Sequence, residues 1–499
     1  MEKVTEYIFN NKFIRYILKT LNLNKEDKFE ILQDVLLAVV VNSIFILLTM
    51  INPFKIINLI LIILYFYYLY KKNNDVVLIN VIIFYFLSTF LIENIWYATH
   101  INVNINAIYL KPLLLILLTL KYFKVNKDIK EIVKDPILII VFITILINLI
   151  NVFKRGYNLN DLANGFLWYL LIYIFYLMAI KGKIHFKSIY IMLLMIQLPL
   201  VLFELIIYKD QDQITGSFGL HATNWSMIVI SIAIYYFFSL YLQKKAKIKS
   251  FIIILIYCFS IFMFNETKMA FFVIPICLLI MLLISDIKVK NKIKIVSVIL
   301  SVVLIGMIGI IKLYPSFTNI LFNPKMLMDY AFNQHSGIYE KSRVENFEYS
   351  NEVLLPRLED KLIGLGHGRA LPNEDFSIEM YKRERNFEGE KKSQIYSDNL
   401  ESGYVQNSLN IMYVESGILG VILYFIIIVI MLYRSFKIFR LTSKFEDKAI
   451  AITYFMYVIT TLAIIWYANI VYILNSRMIF LIFSGIISSK YFTLNNVEK

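Results

Sequence analysis

Two short stretches of this chain concentrate the residue types that do chemistry. The first is Gly364-Leu-Gly366-His367-Gly368-Arg369, an imidazole and a guanidinium set among glycines. The second runs Gln406-Asn407-Ser-Leu-Asn-Ile-Met-Tyr-Val-Glu415-Ser-Gly417-Ile-Leu-Gly420, with Tyr404 just ahead of it. An imidazole exchanges protons near neutrality and a carboxyl group does so once burial disfavours its charge, so His367 and Glu415 are two candidates for a proton-accepting base. Gln406, Asn407 and Tyr404 offer amide and phenol groups that can orient a polar ligand. Plain structural readings stand beside these. The glycines permit a tight turn, and Gln406, Asn407 and Ser408 suit the cap of a helix.

The elements that must position these residues are membrane spans. The chain has 499 residues, 59% of them hydrophobic and 16% aromatic, with a mean hydropathy of +0.67. That is more apolar side chain than a soluble surface hides, and it comes in runs of span length rather than short alternating strands. The runs predict an all-α, polytopic transmembrane bundle of about 14 spans. These lie near 36–51, 53–70, 76–92, 105–123, 136–153, 162–180, 188–207, 225–242, 248–265, 269–285, 295–313, 411–432, 449–466 and 469–488. With the amino terminus inside, cytoplasmic segments carry 31 Lys or Arg and the short outer loops carry five, the asymmetry expected because basic residues resist translocation. Both termini are then cytoplasmic, in the cytoplasmic membrane.

Five parts follow: a cytoplasmic segment 1–34, spans 1 to 11 over 35–313, a large extracytoplasmic loop 314–410, spans 12 to 14 over 411–488, and a cytoplasmic tail 489–499. Residues 1–34 lack the tripartite pattern of a secretory signal and are expected to stay. The loop carries 11 basic and 15 acidic residues, so it is no general funnel for anions, and the +14 of the whole chain does not point to nucleic acid. Residues 339–363 of the loop suggest short surface helices broken at Pro356. Arg477 falls about eight residues into the last expected span. A charge near mid-depth costs at least about 2.5 kcal/mol, so a partner or wet cavity is expected there. Lys111 and Glu204 lie shallower and are expected to snorkel to the interface. Cys258 and Cys277 sit in apolar runs, and the five histidines never pair at ligand spacing. No Walker loop occurs, so neither a metal nor another cofactor is expected.

The two motif stretches together resemble the O-antigen ligase and polymerase superfamily, the Wzy-type polysaccharide polymerases and related ligases. The likeness covers most of the topology and is sharpest over 342–420. Arg343 matches the arginine that opens a loop helix, Gly364-x-Gly366 the turn, Glu415-x-Gly417 the E-x-G, and Asn407 the residue separated by nine others from Gly417-x-x-Gly420. Gly216-Ser-Phe-Gly with Asn224, and Thr267-Lys268, are weaker matches upstream. Gln406 departs from the pattern, standing where ligases and many polymerases have histidine, and glutamine cannot act as a general base.

The resemblance implies transfer of a glycan from undecaprenyl diphosphate outside the cytoplasmic membrane, with the lipid bilayer, a flippase and a chain-length regulator as partners. Departure of the diphosphate calls for fixed positive charge, for which Arg343 is the first candidate, followed by Lys268, Arg369 and Arg477. The acceptor's proton calls for His367 or Glu415. The sugars fall to Gln406, Asn407, Tyr404 and Asn224. A repeat-unit polymerase is the preferred reading. A ligase passing finished glycan to another acceptor is the nearest alternative, and a lipid-linked sugar flippase the second. The flippase would show two similar halves with short loops, which a single 97-residue loop breaks.

Overall fold

The computed structural model describes residues 135–155, 172–181, 186–207, 214–218, 223–265, 267–285, 287–315, 342–367, 407–470 and 474–498, with scattered residues elsewhere. The first four expected spans, Lys111, Tyr404, Gln406 and Arg369 lie outside these. Among the described residues the fold is all-helical.

In chain order the helices are α1 (Pro136–Arg155), a π-helical turn Ile172–Tyr176 running into α2 (Leu177–Ile180), α3 (Phe186–Ile207), α4 (Thr223–Leu242), α5 (Ile248–Phe264), α6 (Ala270–Leu283) and α7 (Val289–Leu313). In the large loop come α8 (Glu345–Tyr349), continued by a π turn over Ser350–Leu354, and α9 (Leu358–Ile363). The last three are α10 (Ser408–Leu441), α11 (Phe445–Ile465) and α12 (Leu474–Glu498). Among the described residues, five helices are long and apolar enough to cross a membrane, in α4, α7, α10, α11 and α12, and shorter apolar helices lie in α1, α3, α5 and α6. They mark the chain as a membrane protein. α4 is surrounded by protein, buried on every face, whereas α7 leaves Leu300, Leu304, Ile305 and Ile308 exposed as a lipid-facing helix must.

Two of the buried polar clusters tie α1 to α10. At one, the Arg434 guanidinium binds both carboxylate oxygens of Asp135, at 2.7 and 3.3 Å, and donates to the Tyr176 hydroxyl at 3.1 Å and the Ser488 hydroxyl at 2.7 Å. It also lies over the rings of Tyr491 and Phe492. Four chain segments meet there. At the other layer, Asn148 and Asn151 of α1 reach the turn after α9, which packs against Glu415 of α10. α1 and α10 therefore run antiparallel, and the sixteen residues from Asp135 to Asn151 rise about 24 Å along α1, most of a bilayer's hydrocarbon thickness. A charge inside such a slab must be paired, which is why Arg434 comes with its carboxylate, phenol and hydroxyl.

Glu204 corrects one expectation. It does not snorkel: it is 1% exposed and accepts the backbone N–H groups of Thr215 and Gly216. Gln197, two turns earlier on the same face of α3, donates to the Thr215 carbonyl and accepts from the Ser217 hydroxyl. The two side chains satisfy the start of a 3-10 turn, Gly216–Phe218, that would otherwise carry unpaired backbone groups into an apolar interior.

Arg434→Met should lower the stability of the detergent-purified protein by about 3–5 kcal/mol, because it strands the buried Asp135 carboxylate. Arg434→Met with Asp135→Leu should recover most of that in a thermal melt. A double variant no more stable than the single would mean that the pair does not interact as drawn.

Candidate functional site

The site forms where the loop turn meets a break in α10. At Gly417 the backbone leaves the helical region with φ +63°. The break turns the carbonyls of Val414 and Glu415 toward the loop, where they accept the N–H groups of Leu365 and Gly366, each at 2.8 Å. The two chains touch so closely that a Cβ on Gly364 would fall 2.3 Å from the Glu415 carbonyl carbon, and one on Gly417 would fall 2.3 Å from the Leu362 carbonyl carbon. Gly364 is itself at φ +71°. Both glycines are thus required twice, for left-handed backbone and for backbone contact. Gly366, also left-handed, continues the same turn. Gly420 serves otherwise: the Ser416 side chain occupies the space its Cβ would take.

That contact brings His367 onto Glu415. The imidazole Nδ1 is 3.1 Å from Glu415 Oε2, and Nε2 is 3.3 Å from the Ser416 hydroxyl. Glu415 is 1% exposed and the His367 side chain 15%. The backbone N–H of His367 donates to Asn148 Oδ1 at 2.9 Å, and Asn151 Nδ2 donates to the Ile363 carbonyl at 3.0 Å. An ion pair between Lys154 and Glu359 ties α1 to α9 a turn further out. The two candidates for the base are one unit. A carboxylate accepts only, so Nδ1 is the nitrogen that donates to it, and in the neutral ring Nε2 is the basic nitrogen.

Arg343 stands elsewhere on the same face of the fold. Ser342 and Glu345 cap α8 reciprocally, Ser342 N donating to Glu345 Oε2 at 2.7 Å and Glu345 N to Ser342 Oγ at 3.3 Å. Arg343, within that cap, lays its guanidinium 4.3 Å from the Tyr467 ring and donates from Nε to the Tyr467 carbonyl at 3.0 Å. The α8 segment then follows the first turns of α10, through Asn410 to the Asn346 carbonyl and the Tyr413 hydroxyl to Asn351. Phe347 stacks on Trp466 with ring centroids 5.1 Å apart. Arg343 is therefore aligned with the start of α10, whereas His367 is aligned with residues 415–416.

The remaining candidates divide. Asn407 is buried and caps α10, its Oδ1 accepting from Asn410 N at 2.8 Å, which is the structural reading of that residue. Asn224 and Lys268 belong to segments that hold each other: Asn265 meets Ser226, and the Thr267 hydroxyl lies 3.5 Å from the Thr223 carbonyl. Arg477 lies in the first turn of α12, within electrostatic range of the Tyr424 hydroxyl. It stands eleven residues before Ser488 on that helix, about 16 Å along it from the Arg434 layer. Among the described residues, no group of three or more His, Cys, Asp or Glu is gathered to hold a metal ion. Asn148, Asn151 and Ser416 were absent from the expected site. The asparagines did carry a signal, two amides three residues apart on one face of an otherwise apolar span.

Gly417→Ala should cost at least about 1–2 kcal/mol from the left-handed backbone alone, and more from contact with Leu362. A thermal melt unchanged from the parent protein would show that the break in α10 is not built this way.

No protein-family model matches this chain, and the search of curated proteins found no match.

Proposed function

We propose that this chain is a glycosyltransferase of the cytoplasmic membrane, which joins undecaprenyl-diphosphate-linked oligosaccharide units into a long surface polysaccharide at the outer face. The observation that carries this reading is the Glu415–His367 pair, formed where the G-x-G turn and the E-x-G break meet. It provides what the reaction asks of a base: an imidazole with one nitrogen fixed by a carboxylate and the other unprotonated. The positive-inside asymmetry, which places this end of the bundle outside, also supports it.

In this reading His367 is the base on which a proton ends as the acceptor oxygen attacks the anomeric carbon, and Glu415 stabilises the resulting imidazolium. Asn148 and Asn151 hold the turn so that the ring does not swing. Arg343, flat against Tyr467, meets the negative charge that develops as the lipid diphosphate leaves, and a planar guanidinium suits those oxygens. A histidine at position 406 is not needed for this chemistry, because the turn brings one to the carboxylate from elsewhere in the chain.

The experiment compares the size distribution of surface and carrier-linked glycan in cells carrying the intact chain, Arg343→Ala, Arg343→Lys or His367→Gln. His367→Gln should slow chain growth about 100-fold or more. Arg343→Ala should remove long chains while single units still reach the surface, and lysine should restore part of the length. Long chains that remain on the carrier would make the protein a ligase, and units trapped on the cytoplasmic face would make it a transporter.

A further inference from the structure

Ser416 is a residue the proposed chemistry has not used, and three observations set it apart. Its hydroxyl is among those in these helices that are not spent on the helix's own backbone. Thr453, Thr460 and Thr461 each donate to the carbonyl four residues back, as do Ser260, Ser297 and Ser301. Ser416 instead points to His367 Nε2 at 3.3 Å. Room is made for it, since a Cβ on Gly420 would lie 1.9 Å from Ser416 Cβ and 2.9 Å from its hydroxyl. It is also 6% exposed, beside an imidazole that is itself largely covered.

Because Glu415 fixes the proton on Nδ1, Nε2 accepts, and the hydrogen bond runs from the Ser416 hydroxyl to Nε2. The lone pair that must take the acceptor's proton is therefore already occupied by Ser416. We propose that Ser416 is a proton relay: the acceptor hydroxyl gives its proton to Ser416 Oγ while Ser416 gives its own to His367 Nε2. This rests on the glycosyltransferase reading. The step balances. A bond forms between the acceptor oxygen and the anomeric carbon, and the bond from that carbon to the phosphate oxygen breaks with its electron pair leaving on the diphosphate. The serine ends as it began, and one proton has moved onto the imidazole facing Glu415. The bond Ser416 makes in the resting site also holds the ring from its second side, so that His367 is fixed by a carboxylate at one nitrogen and a hydroxyl at the other.

The test uses membranes containing the full chain. The probe is the carrier-linked oligosaccharide that accumulates in cells from which the gene is deleted. Chain growth is followed in mixtures of light and heavy water for the parent, Ser416→Ala, Ser416→Thr and His367→Gln. Two protons in flight give the parent rate a curved dependence on deuterium content. Ser416→Ala should slow growth at least about 10-fold at unchanged apparent affinity, short of the loss in His367→Gln, and should make that dependence linear. Ser416→Thr, which keeps the hydroxyl, should restore rate and curvature together, and this separates a relay from a packing role. In the purified protein, the His367 Nε2 nitrogen resonance should shift in Ser416→Ala, as expected when it loses a hydrogen bond. Growth within twofold of the parent in Ser416→Ala, with His367→Gln inactive, would overturn the relay and leave the enzymatic reading standing. Normal growth in His367→Gln would overturn both.

Discussion

Backbone contact between Gly364 and Gly417 is the constraint on which the site depends. Neither segment could hold its shape alone: α10 breaks inside an apolar environment, and the carbonyls turned out by the break need donors that water cannot supply there. Leu365 and Gly366 supply them. The turn in turn has few apolar groups to bury, and is held by those carbonyls and by two asparagines of α1. Once the backbones lie at this distance, the direction of the His367 side chain follows, and it leads onto Glu415. Two missing side chains thus decide where an acid and a base meet.

The same economy of polar groups shapes the whole bundle. Every buried charge described has its partners within the protein. Arg434 has Asp135, Tyr176 and Ser488, and Glu204 has two backbone amides. These are costly groups to place in hydrocarbon, and breaking one leaves the other unpaired. Two such layers about 24 Å apart along α1 each have separate work. The Arg434 layer joins four segments into one bundle. The His367 layer, with an imidazole left partly open, is the one the proposed chemistry uses.

The sequence carried the architecture more fully than the site. Apolar runs located α3, α4, α5 and α6 to within about two residues, since a helix that meets lipid must be apolar along its length. Polar helix ends were less legible. The runs begin α7 at 295, yet its helix starts at Val289, because Lys290, Lys292 and Lys294 continue the helix beyond its apolar part. Glu204 was misread for a related reason. Depth in a span suggested an escape to the interface, and only the packing of residues 214–218 against α3 shows the amides that keep it buried.

For the site, spacing within a segment was readable, because E-x-G and G-x-G are local backbone requirements. The sequence by itself determined that this is a chain of membrane helices with a polar loop, and that two glycine-bearing stretches break its regularity. It left His367 and Glu415 as alternatives, 48 residues apart, with Asn148 another 219 residues from the turn it holds. Only the tertiary structure decided that these three meet and that Ser416 joins them. Composition and periodicity act along the chain, whereas a hydrogen bond acts across whatever space the packed helices leave between two side chains.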